Sequence, residues 1–190
     1  GFKDKKIKKI FGPIGIKLGG RSAPEIALSI IAQLVSEVYN KWNEMISAIL
    51  LAAGQSKRMK GENKLIKKIQ GIPLIKYSVK NILTSSIDEL IVVLGYQKEA
   101  VENIIDKNEK IKFIFNKNYE SGIASSIKTG LNNLSEKTEA FFICLGDMPM
   151  VNPNIYNQLI KSINKKEIIV PTYKGQQGNP VLFAKSMKEK

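Results

Sequence analysis

Two short stretches hold residues suited to chemistry on phosphates. The first, "LAAGQSKRMKGENK" from Leu51 to Lys64, follows an apolar run and gathers small residues, a hydroxyl and several cations in one loop. Leu51, Ala52, Ala53 and Gly54 leave the backbone open, so a ligand can come close and main-chain N–H groups can face anionic oxygens. A helix starting after such a loop adds a field that favours anions. Arg58 is one of only two arginines in a chain whose 30 basic residues are otherwise lysines, and a guanidinium gives a planar fork for phosphate. Lys64 adds a point-like cation. The spacing is neither Gly-x4-Gly-Lys-Ser/Thr nor Gly-x-Gly-x-x-Gly, which argues against a P-loop ATPase and a dinucleotide fold. The reading is a cradle for a nucleoside triphosphate; the plain alternative is a tight turn with solvated charges.

The second stretch is "FFICLGDMPM", where Asp147 stands directly after an apolar run and Pro149 keeps it out of a helix. Magnesium takes one or two carboxylates and completes its shell with phosphate oxygens and water, so one well-placed aspartate suffices beside a triphosphate. A turn-forming Asp is the competing reading. The chain contains no histidine, which excludes a catalytic triad, an imidazole base and a His-ligated metal; any metal must rest on carboxylates. A third segment, "NKNYESGIASSIKTGL", offers Asn116, Gly122, Ser125 and Ser126 near a base or phosphate. Small residues at a helix–sheet contact explain that segment nearly as well. Met148 and Met150 read as packing residues.

These stretches need a frame. Apolar, strand-like runs at Ile46–Leu51, Glu89–Leu94, Ile111–Phe115, Ala140–Leu145 and Glu167–Val170 alternate with helical patterns at Leu74–Leu83, Lys98–Asp106, Ala124–Leu134 and Pro153–Ile163. That alternation predicts an α/β fold with a mostly parallel sheet covered on both faces. In such sheets ligands bind at the carboxyl ends of the strands, which is where all three stretches fall. Residues 1–44 have a different texture. A Gly-rich loop leads to Ser22 and Glu25 as a capping box, then Ile26, Ile30, Ile31, Leu34 and Val38 at helical spacing, predicting one extra amphipathic helix. The expected division is 1–44 and 45–190.

A formal charge of +13 raises nucleic acid as a partner, but the lysines are scattered among acids and arginine is scarce. A solvated basic surface is the expectation, with no nucleic acid. No stretch nears the roughly 18–20 apolar residues of a membrane span. The start, "GFKDKKIKKI", runs into Gly-Pro without a leader-like apolar run. Cys144 is the single cysteine, so no internal disulfide forms and the expected compartment is the cytoplasm.

Together "AILLAAGQSKRMKGENKL", "NYESGIASSIKTGL", "CLGDMP" and "GNPVLF" resemble, in order and spacing, the molybdenum cofactor cytidylyltransferases, relatives of the guanylyltransferases. The resemblance covers residues 45 to about 185 and implies a Rossmann-like nucleotidyltransferase fold. It implies Mg²⁺-dependent transfer of CMP from CTP to the phosphate of molybdenum-bound molybdopterin, releasing pyrophosphate. Leu51–Gly54 would hold the nucleotide, Arg58 and Lys64 would neutralise the triphosphate, and Asp147 would hold the metal. Asn116, Gly122, Ser125 and Ser126 would surround the base or acceptor. Asn179 departs from the family, which usually has His there. "GPIGIKLGGRSAPEIALSIIAQLV" resembles the C-terminal tail of xanthine dehydrogenase accessory proteins, implying a fused polypeptide and a molybdenum hydroxylase apoenzyme as a partner. Because the family continues beyond "AKSMKEK", the expectation is a C-terminally incomplete domain. Two alternatives remain: a related transferase using GTP or a sugar phosphate, and a non-catalytic cofactor carrier.

Overall fold

The structure, a computed structural model, describes residues 26–28, 30–34, 45–56, 62–163 and 168–188. The chain divides into two compact units, Gly1–Glu44 and Met45–Lys190. In the first unit, 26–28 and 30–34 are helical; the Gly-rich loop, Ser22, Glu25 and Val38 lie outside the described residues. None of the described helices is long and apolar enough to cross a membrane.

The second unit is built on one mixed sheet. Strand β1 (Met45–Ala52) is followed by a small hairpin of β2 (Lys68–Ile69) and β3 (Ile72–Pro73), then helix α1 (Leu74–Leu83). Next come β4 (Glu89–Leu94), α2 (Lys98–Ile104), β5 (Ile111–Phe115), α3 (Ile123–Asn132), β6 (Thr138–Leu145) and α4 (Pro153–Ser162). The chain then runs through β7 (Ile168–Ile169), the hairpin β8 (Thr172–Tyr173) and β9 (Gln176–Gln177), and β10 (Val181–Ala184). The sheet order is β5-β4-β1-β6-β10-β7. Strands β5, β4, β1 and β6 are parallel, while β10 lies antiparallel to both β6 and β7.

Alternation along each central strand sorts side chains onto two faces. Ala48 and Leu50 of β1, Leu90 and Val92 of β4, and Phe142 and Cys144 of β6 join one buried cluster, against Ile75, Val79 and Ile82 of α1. Val101 of α2 and Tyr156 and Leu159 of α4 complete it. Ile49, Ile91, Val93 and Phe141 face the other way, and Leu131 and Leu134 at the end of α3 pack on that side. The change of side for α3 follows from direction. From β1 to β4 to β5 the chain steps one way across the sheet, and from β5 to β6 it steps back past β1. Right-handed crossovers in opposite directions place their helices on opposite faces.

The carboxyl ends of β1 and β6, two adjacent parallel strands, stand beside the loop that leads into α3 on the other face of the sheet, and a crevice opens between them.

Candidate functional site

The crevice is a cavity of about 620 Å³. Its walls come from the ends of β1 and β6 and from the loop before α3. They include Leu51, Ala53 and Gly54 from the first loop, Lys64 and Leu65 from its return, and Gly146 and Asp147 after β6. Tyr119, Glu120, Gly122, Ile123 and Ser126 close the third side. A space of this size suits a ligand of nucleotide dimensions.

Each wall is fixed from behind. The N–H of Gly146 donates to the Leu51 carbonyl at 3.1 Å, tying the two loops together where β1 and β6 end. Helix α1 holds the Asp147 turn on both sides. Ser78 donates to the Gly146 carbonyl and Asn81 to the Pro149 carbonyl, each at 3.0 Å. Lys64 opens a short helical turn capped by the buried Asn63, whose side chain accepts from the Leu65 N–H at 3.0 Å. The Lys64 N–H donates to Ser56 Oγ at 3.1 Å and closes the base of the loop. Its ammonium meets Asp147 Oδ2 at 3.0 Å across the crevice, with both side chains partly exposed, 49% and 39%.

The glycines separate scaffold from site. A Cβ on Gly95, just past β4, would lie 2.6 Å from Tyr119 Cβ and 2.7 Å from the Ala53 carbonyl oxygen, so packing alone demands glycine there. A Cβ on Gly54 would meet nothing within 4 Å, and Gly54 is absent from the positive-φ positions. The fold does not require glycine at 54; close approach of a ligand would. Beside it, among the described residues, nothing accepts a hydrogen bond from the N–H groups of Gly54, Gln55 and Ser56. Three consecutive N–H groups with no acceptor among the described residues, on residues that line a cavity, have capacity for an anion.

Of the residues singled out from sequence, Leu51, Ala53, Gly54, Lys64, Gly122, Ser126 and Asp147 come together on this cavity. Arg58 lies outside the described residues. Ala52 is buried in the core cluster beneath. Asn116 is 3% exposed and engaged by its neighbours: its amide donates to Ser125 Oγ at 2.9 Å and Ser126 Oγ at 3.0 Å, and its carbonyl accepts from the Asn118 N–H. Ser125 donates to the carbonyls of Asn118 and Gly122. These two residues shape the loop that carries Tyr119, Glu120 and Gly122, and they stand behind the wall. Glu120 escaped the sequence reading, although it sits within the quoted "NYESG". Its carboxylate accepts from the Gln55 amide at 3.2 Å and puts a second acid on the cavity. Among the described residues no group of three or more His, Cys, Asp or Glu is placed to hold a metal. Asp147 and Glu120 both line the cavity, and these are the carboxylates there that could offer oxygens to a hard cation bringing the rest of its shell with it.

A central sheet of this order, with the first loop facing a carboxylate at the carboxyl ends of β1 and β6, defines a Rossmann-like α/β protein of the nucleotidyltransferase type. Residues 48–190 match the family described as "MobA-like NTP transferase domain", and the chain belongs to that family. A probable molybdenum cofactor guanylyltransferase of Methanosarcina mazei is 29% identical over 147 residues, 74% of this chain and 64% of that protein. The molybdenum cofactor cytidylyltransferase of Escherichia coli K12 is 30% identical over 140 residues, 74% of this chain and 70% of that one. The match therefore spans less than two thirds of the Methanosarcina protein. Among solved structures, a nucleotidyl transferase from Methanothermobacter thermautotroptrophicus shares the fold, with a TM-score of 0.68 and 21% identity over 76% of this chain and 74% of its own.

Proposed function

We propose that the chain transfers CMP from CTP to the phosphate of molybdenum-bound molybdopterin and releases pyrophosphate. The observation that carries this reading is the meeting, on one cavity, of the Gly54–Ser56 N–H groups, the Lys64 ammonium and the Asp147 carboxylate. The pterin's phosphate monoester is its own nucleophile. Its oxygen forms a bond to the α-phosphorus, the bond to the bridging oxygen breaks, and the electron pair leaves on pyrophosphate. No proton has to be removed, which suits a chain without histidine. The rate then rests on alignment and on donors placed where charge gathers.

Leu51, Ala53 and Gly54 would support the nucleotide, the loop N–H groups and Lys64 would take the phosphate charge, and Arg58 would add a second cation. Asp147, with Glu120 on the same lining, would hold Mg²⁺ together with substrate oxygens. When bound, that ion offsets charge on the phosphates. Gly122 and Ser126 would border the base or acceptor, on a loop positioned by Asn116 and Ser125. The choice of CTP over GTP rests on the likeness of "GIASS", "CLGDMP" and "GNPVLF" to the cytidylyltransferases. The product would pass to a molybdenum hydroxylase apoenzyme, and the expected compartment is the cytoplasm.

Pyrophosphate release measured with each of the four nucleoside triphosphates, Mg²⁺ and the pterin acceptor tests this directly. The expected result is release that needs the acceptor and favours CTP. Preference for GTP would reassign the donor. Turnover with sugar phosphates alone, or tight pterin binding without pyrophosphate, would overturn the proposal.

A further inference from the structure

The two charged groups that the proposed reaction needs most are already engaged with each other. Lys64 Nζ and Asp147 Oδ2 lie 3.0 Å apart, on the return of the first loop and on the turn after β6. Their backbones are fixed: Lys64 by the Asn63 cap and the bond to Ser56, Asp147 by Ser78 and Asn81 of α1. The pair is therefore a consequence of the scaffold and bridges the cavity. A bare cation on Asp147 lies beside the Lys64 ammonium, a like charge, unless that partner is surrendered. Lys64 approached by a metal-free polyphosphate must surrender its carboxylate, whose charge then repels the anion.

Building on the nucleotide reading of this site, we infer that the Lys64–Asp147 pair is a latch that selects a metal-chelated polyphosphate over either component alone. A chelate brings a cation for Asp147 and phosphate oxygens for Lys64 in one event, so each broken contact is replaced as it is lost. The two charges of the pair exchange partners, and neither is left facing a like charge. The latch thereby couples metal and nucleotide: each component raises the site's affinity for the other, and by linkage the enhancement is equal in both directions.

The test is equilibrium binding to the whole chain, with folding checked by circular dichroism and thermal melting. Three probes are used: Mn²⁺ alone, inorganic tripolyphosphate in EDTA, and Mn²⁺ with a non-hydrolysable nucleoside triphosphate. Lys64→Met should bind Mn²⁺ alone about three- to fivefold more tightly than the native chain, the scale of a partly exposed ion pair at contact. Lys67→Met removes the same charge from a lysine paired with Glu62, and it reports the general electrostatic effect. Asp147→Asn should bind metal-free tripolyphosphate more tightly, by a similar factor, while losing Mn²⁺. If Lys64→Met fails to tighten Mn²⁺ binding, or Lys67→Met tightens it equally, the latch is overturned and the metal assignment stands. If Asp147→Asn keeps nucleotide-dependent Mn²⁺ binding, the assignment of Asp147 itself fails.

Discussion

The two ends of the same parallel strands treat their polar residues in opposite ways. At the amino end of the sheet, Glu89 at the start of β4 is 4% exposed, yet its carboxylate is fully engaged. It accepts from Ser47 Oγ of β1 at 2.9 Å and from the Ser135 N–H at 3.4 Å, and it pairs with Lys112 of β5. Ser47 and Thr138 of β6 share a further hydrogen bond at 2.8 Å. Strands β1, β4, β5 and β6 are thus stitched by a polar network centred on a buried carboxylate, with Lys112 reaching it from the solvent side. At the carboxyl end β1 and β6 lead into Gly54, Gln55, Ser56 and Asp147, where the loop N–H groups have no acceptor among the described residues and the charges sit half in solvent. A buried polar network that satisfies its members serves the fold. Polar groups left with capacity around a cavity are available to a ligand.

The contrast is broken most sharply by removing one carboxylate at each end. Asp147→Asn should lower pyrophosphate release by about a hundredfold or more, the scale of losing a group that organises developing phosphate charge. Its melting temperature should stay close to native, because a partly exposed ion pair contributes little, about 0–1 kcal/mol. Glu89→Ala should do the reverse. It strips the acceptor from the buried Ser47 hydroxyl and from the Ser135 N–H, and it removes the partner of the half-exposed Lys112, costing about 2–3 kcal/mol. Turnover per folded molecule should hardly change. Parallel thermal melts and steady-state rates on both variants decide the matter: a stable but slow Glu89→Ala, or an active Asp147→Asn, would dissolve the division between the two ends.

A finer cut lies within the site end, between Gly95 and Gly54. An alanine at 95 would drive its methyl into Tyr119 Cβ, Ala53 Cβ and the Ala53 carbonyl, all within 2.7 Å. The loops must then shift, at a cost of about 1–3 kcal/mol in stability. An alanine at 54 meets open space, so stability should stay within about 0.5 kcal/mol of native. Nucleotide affinity should nevertheless fall about tenfold, because the methyl occupies space that a phosphate or sugar would take; a shift of about 1.4 kcal/mol corresponds to that factor. Denaturant titration gives the first number and calorimetric nucleotide binding the second. Undiminished binding by Gly54→Ala would detach this loop from the ligand.

Legibility in the sequence follows the same line between local and assembled features. Glu89–Leu94, Ile111–Phe115 and Leu74–Leu83 stand out as continuous or helically spaced apolar runs, and the structure gives them those bounds. The convergence of the Gly54 loop with Asp147 was also readable, because parallel strands put every βα loop at one edge. Strand β10 was missed. Val181–Ala184 spans four residues behind Asn179-Pro180, and its antiparallel place between β6 and β7 depends on the chain reversal at the β8–β9 hairpin. The Glu89 network was hidden for a related reason: its partners Ser47, Lys112, Ser135 and Thr138 are remote in sequence and meet only through strand register. Asn116 carried a polar side chain in a promising loop, and nothing local distinguishes an amide that meets a ligand from one that holds its own turn. The Lys64–Asp147 pair likewise exists only once the two loops face each other.

At neutral pH the smallest expected effect is at the floor beneath the open end, where a difference emerges only in alkali. Cys144 lies next to last in β6, 2% exposed, and burial pushes its thiol from 9.0 up to about 12, partly offset by a hydrogen bond with the Tyr156 hydroxyl. Burial also raises Tyr156, with Cys144 adding to the shift. Both groups keep their protons in the folded chain at pH values where the unfolded chain has lost them. Their contribution to stability is therefore complete below the unfolded thiol value, near 9.0, and is lost as pH rises from there towards 12. Each group contributes a slope of at most about 1.4 kcal/mol per pH unit in that window. Denaturant midpoints should fall more steeply above pH 9 in the native chain than in Cys144→Ala, with no difference in slope at neutral pH. At pH 8 the native thiol should resist a disulfide reagent and label only as fast as the whole domain unfolds. Faster labelling would mean that the β6–α4 packing under Asp147 opens by itself, and the site would then be soft on both sides, with no rigid base to hold its charges in place.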